Sequence, residues 1–409
     1  MDTPSRSTIP VPLLLALALL ASVAPFGIDL YLPAFPRMAA ELETSDTAIQ
    51  LTLTMFLVGL AAGQLVFGPI SDRWGRRGPL LVGSAVFVAA SVLAAVAPTI
   101  GVLLVARLAQ GLTAAAGMVI GRAVIADIAT GRAAARAFSL MMIVGGVAPV
   151  VAPLLGSLVV DGIGWRGVLF VLAGLAVAML AASAAIVRET HPPHRRGTAK
   201  AGGFRALGRR AYLTATATFV FSFAVLMAYI SASPFLYQVV IGMSPVSYGL
   251  LFALNALGLV TSNAVASRLL GRSHPRRILA IGTGWLFAAA VVLLVLALLP
   301  ISAAWLVAPI FFAVAALGFI LGPATALALD AVPRAAGTGS AVLGAAQFGI
   351  GAAVSPLVSV GGGHSALPMA VTIAVLATVA VCASRPLPAR TPEVEATVAE
   401  RTGSLAGSI

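Results

Sequence analysis

The sequence predicts an all-α membrane protein of twelve transmembrane helices, arranged as two six-helix bundles, and three observations carry that prediction. Of its 409 residues 60% are hydrophobic and only 9% charged, and the mean hydropathy is +1.05, which excludes an ordinary soluble globule. The apolar residues fall into twelve runs of about 20, the length that crosses hydrocarbon as a helix. Basic residues crowd every second loop, the asymmetry expected of cytoplasmic connections.

Taken in order, the runs lie near 10–32, 48–70, 79–97, 101–121, 137–160, 165–187, 211–233, 246–267, 277–298, 302–328, 336–359 and 365–384. The first follows a polar start, Met1 to Thr8. Ser22-Val23-Ala24 would suit a signal-peptide cleavage site, but the run continues past it through Phe26 and Leu30 and carries Asp29. The second and third flank a short charged turn, Gly68-Pro69-Ile70-Ser71-Asp72-Arg73-Trp74-Gly75-Arg76-Arg77. The fifth contains Gly145-Gly146-Val147-Ala148-Pro149-Val150-Val151-Ala152-Pro153-Leu154-Leu155-Gly156; its prolines remove backbone donors and its small residues admit a neighbouring backbone, so a bent, closely packed helix is expected. That pattern by itself also suits a purely structural kink. Between the ninth and tenth runs, Leu299-Pro300-Ile301 breaks what would otherwise be one long helix.

The loops after even-numbered runs hold Arg73, Arg76 and Arg77; Arg132 and Arg136; seven basic residues from Arg188 to Arg210; Arg268, Arg272, Arg276 and Arg277; and Arg334. Odd-numbered loops hold Arg37 and Arg166, with Glu41, Glu43 and Asp46 in the first. Both termini are therefore expected in the cytoplasm. The organisation predicted is a first bundle over 1–187, a basic cytoplasmic linker over 188–210, a second bundle over 211–384 and a disordered cytoplasmic tail over 385–409. The halves echo one another. Ser267-Arg268-Leu269-Leu270-Gly271-Arg272 stands where Ser71 to Arg76 stands in the first half, and Ser233-Pro234-Phe235 at the end of the seventh run answers Leu32-Pro33-Ala34-Phe35 at the end of the first. Parallel repeats of this kind place a substrate cavity between the halves near the midplane.

The net charge of +12 would suggest nucleic acid in a soluble protein; here it reads as a topology signal, and no nucleic-acid partner is expected. Cys382 stands alone, so no intrachain disulfide forms. His191 and His194 are the one close histidine pair, in a polar loop, and no metal or other cofactor is expected. No catalytic pair or metal-ligating motif appears within the runs, so an enzyme is not expected, with a polytopic membrane enzyme as the remote alternative.

Two charged residues within the runs are candidates for chemistry. Asp29 comes about 20 residues into the first helix, in the outer third of the bilayer. It is either a buried acid able to exchange a proton or an interfacial aspartate facing water near Tyr31. Arg107, some six residues into the fourth run, lies at similar depth; it faces a partner or wet cavity, with Gln110 nearby, or snorkels to the headgroups. Candidate cavity residues are Tyr31, Phe56, Gln64, Gln110, Tyr229, Phe235, Asn255, Gln347 and Phe348. Most such aromatic residues serve packing alone.

The turn from Gly68 to Arg77 resembles the loop signature of the major facilitator superfamily. With Gly27 to Pro36, Gln50 to Thr54, Gly63-Gln64, Arg107 to Gly111, Gly121-Arg122-Ala123 and the proline-rich fifth run, the first half is similar to the Bcr/CflA branch of drug:proton antiporters. The resemblance implies the major facilitator fold, two six-helix bundles around a central cavity. It implies a monomeric inner-membrane exporter of a small amphipathic drug, phenicol-like or bicyclomycin-like, or of a metabolite, with protons as the coupling ion. Asp29 and Arg107 would form the coupling site. Gly68, Asp72, Arg73, Gly75, Arg76, Arg122 and Asp127 would gate, with Asp72 capping a helix of the other half and Arg76 paired with Asp127. Gly145, Gly146, Pro149, Pro153 and Gly156 would mark an antiporter. The chain departs from many relatives in having Ala126 before Asp127. The alternative is a uniporter or symporter of the same fold for a small metabolite.

Overall fold

The computed structural model describes residues 9–129, 131–192, 207–360 and 365–385, and among these no strand occurs. The helices are α1 (Val11–Asp29), α2 (Phe35–Glu41), α3 (Asp46–Trp74), α4 (Arg77–Ala95), α5 (Ile100–Ile128), α6 (Gly131–Ile186), α7 (Arg210–Phe235), α8 (Pro245–Leu270), α9 (Pro275–Leu298), α10 (Val307–Ala316), α11 (Leu321–Asp330), α12 (Ala336–Val354) and α13 (Leu367–Ser384). Most of the predicted linker, 193–206, and most of the tail, 386–409, lie outside the described residues.

Ten segments of the described chain are long and apolar enough to cross a membrane. One of them, within α6, is two crossings. A straight helix of its 56 residues would be roughly 84 Å long, more than twice the hydrocarbon thickness. It bends at Gly164, whose φ of 66° and ψ of 178° suit glycine alone. α12, with 19 residues of mostly small side chains, completes twelve.

The boundaries depart from the sequence expectation in places that have physical causes. The fifth helix starts at Gly131 rather than near 137, drawing Arg132 and Arg136 into its first turns. The first crossing continues through a 3-10 turn at Leu32–Ala34 into α2, because Pro33 and Pro36 reset the backbone without ending the helical path. The tenth crossing is interrupted at Leu317–Phe319. There Gly318 lies so close to α8 that a β-carbon would stand 2.1 Å from Ser262 Oγ and 2.4 Å from the Asn263 nitrogen.

Close helix approach holds the first half together. A β-carbon on Gly111 of α5 would lie 1.9 Å from the Phe56 carbonyl oxygen of α3, so these two helices touch backbone to backbone and gain dispersion over their whole length. The two halves meet along α3 with α12 and α6 with α8. At the acidic end, the α1–α3 connection seats Phe35 6.1 Å from Phe235 of α7, ring centre to ring centre.

Candidate functional site

Asp29 closes α1, a helix with no other charged residue, and it is 2% exposed. Its Oδ1 has no hydrogen-bond partner. Across the interface it lies within electrostatic reach of Tyr229 on α7 and Tyr248 on α8. The tyrosines belong to an aromatic wall: Tyr229 stacks on Phe252 at 5.5 Å and meets Tyr237 at 6.5 Å, and Tyr237 meets Tyr248 at 6.0 Å. Asn255 Nδ2 donates to the Tyr229 hydroxyl at 2.8 Å. The Tyr248 and Ser233 hydroxyls are 3.2 Å apart. Tyr237 Oη and Asn255 Oδ1 are buried without partners, like Asp29 Oδ1. An unpartnered buried polar atom costs about 1–3 kcal/mol, so such atoms gathered where two bundles meet make this wall the candidate site.

Arg107 is fully buried but is not paired with Asp29; among the described residues it makes no ion pair. Its Nη2 donates to the Gly27 carbonyl at 2.6 Å and its Nη1 to Gln110 Oε1 at 2.8 Å. The guanidinium lies 4.2 Å from the Tyr31 ring centre and 4.4 Å from that of Phe56. Two cation–π contacts and two charge-assisted bonds replace the missing carboxylate. Gln110 in turn donates to Ser91 Oγ at 2.9 Å. Phe56 and Gln110, expected as cavity residues, thus serve the arginine inside the first half. Tyr31 shares its hydroxyl with Thr52 at 3.0 Å.

The remaining candidates divide between seam and bundle. Gln64 sits on the α3–α12 seam, its Oε1 2.4 Å from where a β-carbon on Gly344 would be. Phe235 faces Phe35 across the halves. Phe348 packs on Phe223 within the second half at 5.5 Å, and Gln347 is half-buried beside it. In α6, Gly156 presses on α1, with 1.9 Å between a hypothetical β-carbon and the Leu30 carbonyl oxygen, and Gly146 faces Val260 of α8. Gly145, Pro149 and Pro153 lie on the same helix.

At the basic end, Gly75 ends α3 with φ of 95° and turns the chain so that Arg76 points inward while Arg73 stays exposed. Arg76 Nε donates to Asp127 Oδ2 at 2.9 Å, and its Nη1 donates to Ser71 Oγ at 2.9 Å and to Asp72. Burial lowers the Arg76 pKa, but the Asp127 and Asp72 carboxylates outweigh it and hold the guanidinium above its ordinary value. Asp72 is therefore bound to its own turn here rather than to a helix of the other half. The helix cap at this end comes from Glu189, which accepts from the backbone nitrogens of Arg76 at 2.8 Å and Arg77 at 3.2 Å, where the amino end of α4 favours an anion. Thr190 donates to Asp127 at 2.9 Å. Arg122 is half-buried, its Nε donating to the Met118 carbonyl at 3.0 Å. Glu189, Thr190 and Tyr248 were not singled out from sequence, and Ser71 and Ser233 stood there only within the loop motif and the repeat. For Glu189 and Thr190 the available signal was their position just after the sixth run, two and three residues past the apolar stretch.

The Major Facilitator Superfamily profile matches residues 17–356. The chain belongs to the major facilitator superfamily. Among its relatives within the superfamily, the MFS-type transporter YdgK of Bacillus subtilis strain 168 is 35% identical over 370 residues, covering 89% of this chain and 92% of that protein. The multidrug resistance protein MdtL of Escherichia coli O81 is 30% identical over 326 residues, covering 79% and 82%. A bicyclomycin resistance protein homolog of Haemophilus influenzae is 28% identical over 378 residues, covering 90% and 94%. These relatives support the drug:proton antiporter branch that the first half resembles. A D-xylose-proton symporter structure superposes with a TM-score of 0.75 at 15% identity, covering 95% of this chain and 99% of that one, and shows the shared fold. The protein is thus a multi-pass membrane transporter for a small molecule, not an enzyme.

Proposed function

We propose that this transporter is a proton-coupled antiporter that exports a small amphipathic drug or metabolite across the bacterial inner membrane, acting as a monomer with both termini in the cytoplasm. The observation that carries the reading is Asp29: a buried acid with an unpartnered oxygen, on the first half, facing an aromatic and hydroxyl-bearing wall on the second. A carboxylate in that position is costly unless it takes up a proton or meets a partner. The cycle follows from that cost. Asp29 is protonated while its end of the cavity opens outward; cargo entering from the basic end favours release of the proton inward. Coupling requires that cargo bind the two protonation states unequally. Arg107 holds the backbone at Gly27, two residues before the acid, and so positions it. The names of MdtL and of the bicyclomycin resistance homolog favour a drug as cargo, with phenicols and bicyclomycin as first candidates.

The test is drug-susceptibility profiling in a host stripped of its own pumps. Expression of the chain is expected to protect against a phenicol or bicyclomycin, with protection lost on adding a protonophore. Protection that persists without a proton gradient would leave a uniporter in its place.

A further inference from the structure

Among the described residues three ionisable side chains, Asp29, Arg107 and Arg122, lie within the crossings rather than in the loops, Asp29 where α1 gives way to the 3-10 turn that continues the first crossing, and the second half contributes none: between Arg210 and Arg268 on α7 and α8 there is no acid or base, and α12 and α13 carry no charge before Arg385. Neither arginine has a carboxylate partner among the described residues. The interior therefore carries one acid against two guanidinium groups. Its net charge is positive with Asp29 ionised and more positive with Asp29 protonated, in a medium that screens charge poorly. The wall opposite Asp29 offers rings, hydroxyls and an amide oxygen, and no second acid: Tyr229, Tyr237, Tyr248 and Asn255, with Tyr237 Oη and Asn255 Oδ1 unpartnered.

We propose that the transport path selects uncharged or acidic ring-bearing molecules and rejects lipophilic cations, with Tyr237 and Asn255 taking the cargo's hydroxyl or amide group. This rests on the export reading above and narrows its substrate class. A cation meets repulsion in both protonation states of Asp29, so proton exchange gives it no favourable step, whereas a neutral molecule binds through the aromatic faces and the two unpartnered atoms. An acidic group gains further from Arg122, which lies about 9 Å from the basic end of α5 and makes one hydrogen bond, through Nε, to its own helix.

The experiment uses the full chain in proteoliposomes with an imposed proton gradient and three probes: chloramphenicol (uncharged), nalidixate (anionic) and tetraphenylphosphonium (cationic). The wild type is expected to move chloramphenicol or nalidixate at least tenfold faster than tetraphenylphosphonium. Asn255→Asp, which places an acid in the wall, is expected to raise tetraphenylphosphonium flux several-fold, and Arg122→Gln to lower nalidixate flux relative to chloramphenicol. Melting curves in detergent establish that both variants are folded. Wild-type tetraphenylphosphonium flux comparable to that of chloramphenicol overturns the selectivity while leaving export intact. A folded Asn255→Asp protein without cation flux overturns the role given to interior charge. Gradient-independent or absent flux of all three probes in the wild type overturns the export reading itself.

Discussion

At the scale of single residues, Asp29 and Arg107 illustrate how the same burial has two outcomes. The arginine is held by the Gly27 carbonyl, Gln110 and two rings, with only its Nε unpartnered, while the acid has no such set of contacts and one of its carboxylate oxygens is left unpartnered. Asp29→Asn is therefore expected to insert and fold normally yet lose protonophore-sensitive export, as read by drug accumulation; full export by this variant would remove Asp29 from the mechanism. Arg107→Lys keeps the charge but loses the planar fork and the ring stacking. It is expected to lower stability by about 2 kcal/mol, seen as a reduced melting temperature in detergent, and a melting curve identical to the wild type would show those contacts to be idle. The depth of both residues was legible from counting along the helices. Their partners were not, since the Arg107–Gly27 bond joins positions 80 residues apart and hydropathy says nothing of helix rotation. Phe56 and Gln110 drew attention as cavity candidates for the same reason.

At the scale of elements, the turn between α3 and α4 and the end of α6 form one charged knot around Arg76. Its raised pKa adds stability that is fully present below the ordinary arginine value and lost only as pH rises through the still higher folded value, so alkaline titration in the usable range leaves the guanidinium charged. Glu189→Gln keeps the hydrogen bonds but removes the anion from the amino end of α4, with an expected cost of about 0.5–1 kcal/mol that shrinks as salt is raised. A salt-independent cost would point to packing instead. The Gly68–Arg77 motif could be anticipated because its residues form a recognisable string, and the Arg76–Asp127 pair only because the family resemblance implies it. Glu189 lay in a segment read only for its bases, and an acid among seven bases is easily taken for a solvated charge. Run lengths were legible to within a few residues except where tertiary contact overrides local preference, as at Leu317–Phe319 against α8.

At the scale of the whole molecule, the alternating basic loops and the echo between halves gave the twelve-crossing plan before any coordinate. The conformation was not legible, because a sequence that rocks between two states encodes both. Here the halves are closed at the acidic end. A β-carbon on Gly249 of α8 would lie 2.8 Å from Ser157 Cβ of α6, near enough for a bridge after a small backbone shift. In a Cys382→Ala background, Ser157→Cys with Gly249→Cys is expected to crosslink on oxidation and halt export, with recovery on reduction. Crosslinked protein that still exports would rule out opening at this end as part of the cycle.

The contact of Gly156 with the Leu30 carbonyl has a mechanical corollary. Helix and acid share one rigid joint: the proline-bearing shaft cannot slip past the residue that follows Asp29 without forcing oxygen against carbon. A displacement of that shaft at Gly156 meets first the backbone next to the carboxylate. A bulkier side chain at the joint, as in Gly156→Leu, cannot fit without pushing the α1 backbone off the shaft, and is expected to move the carboxylate from its seat.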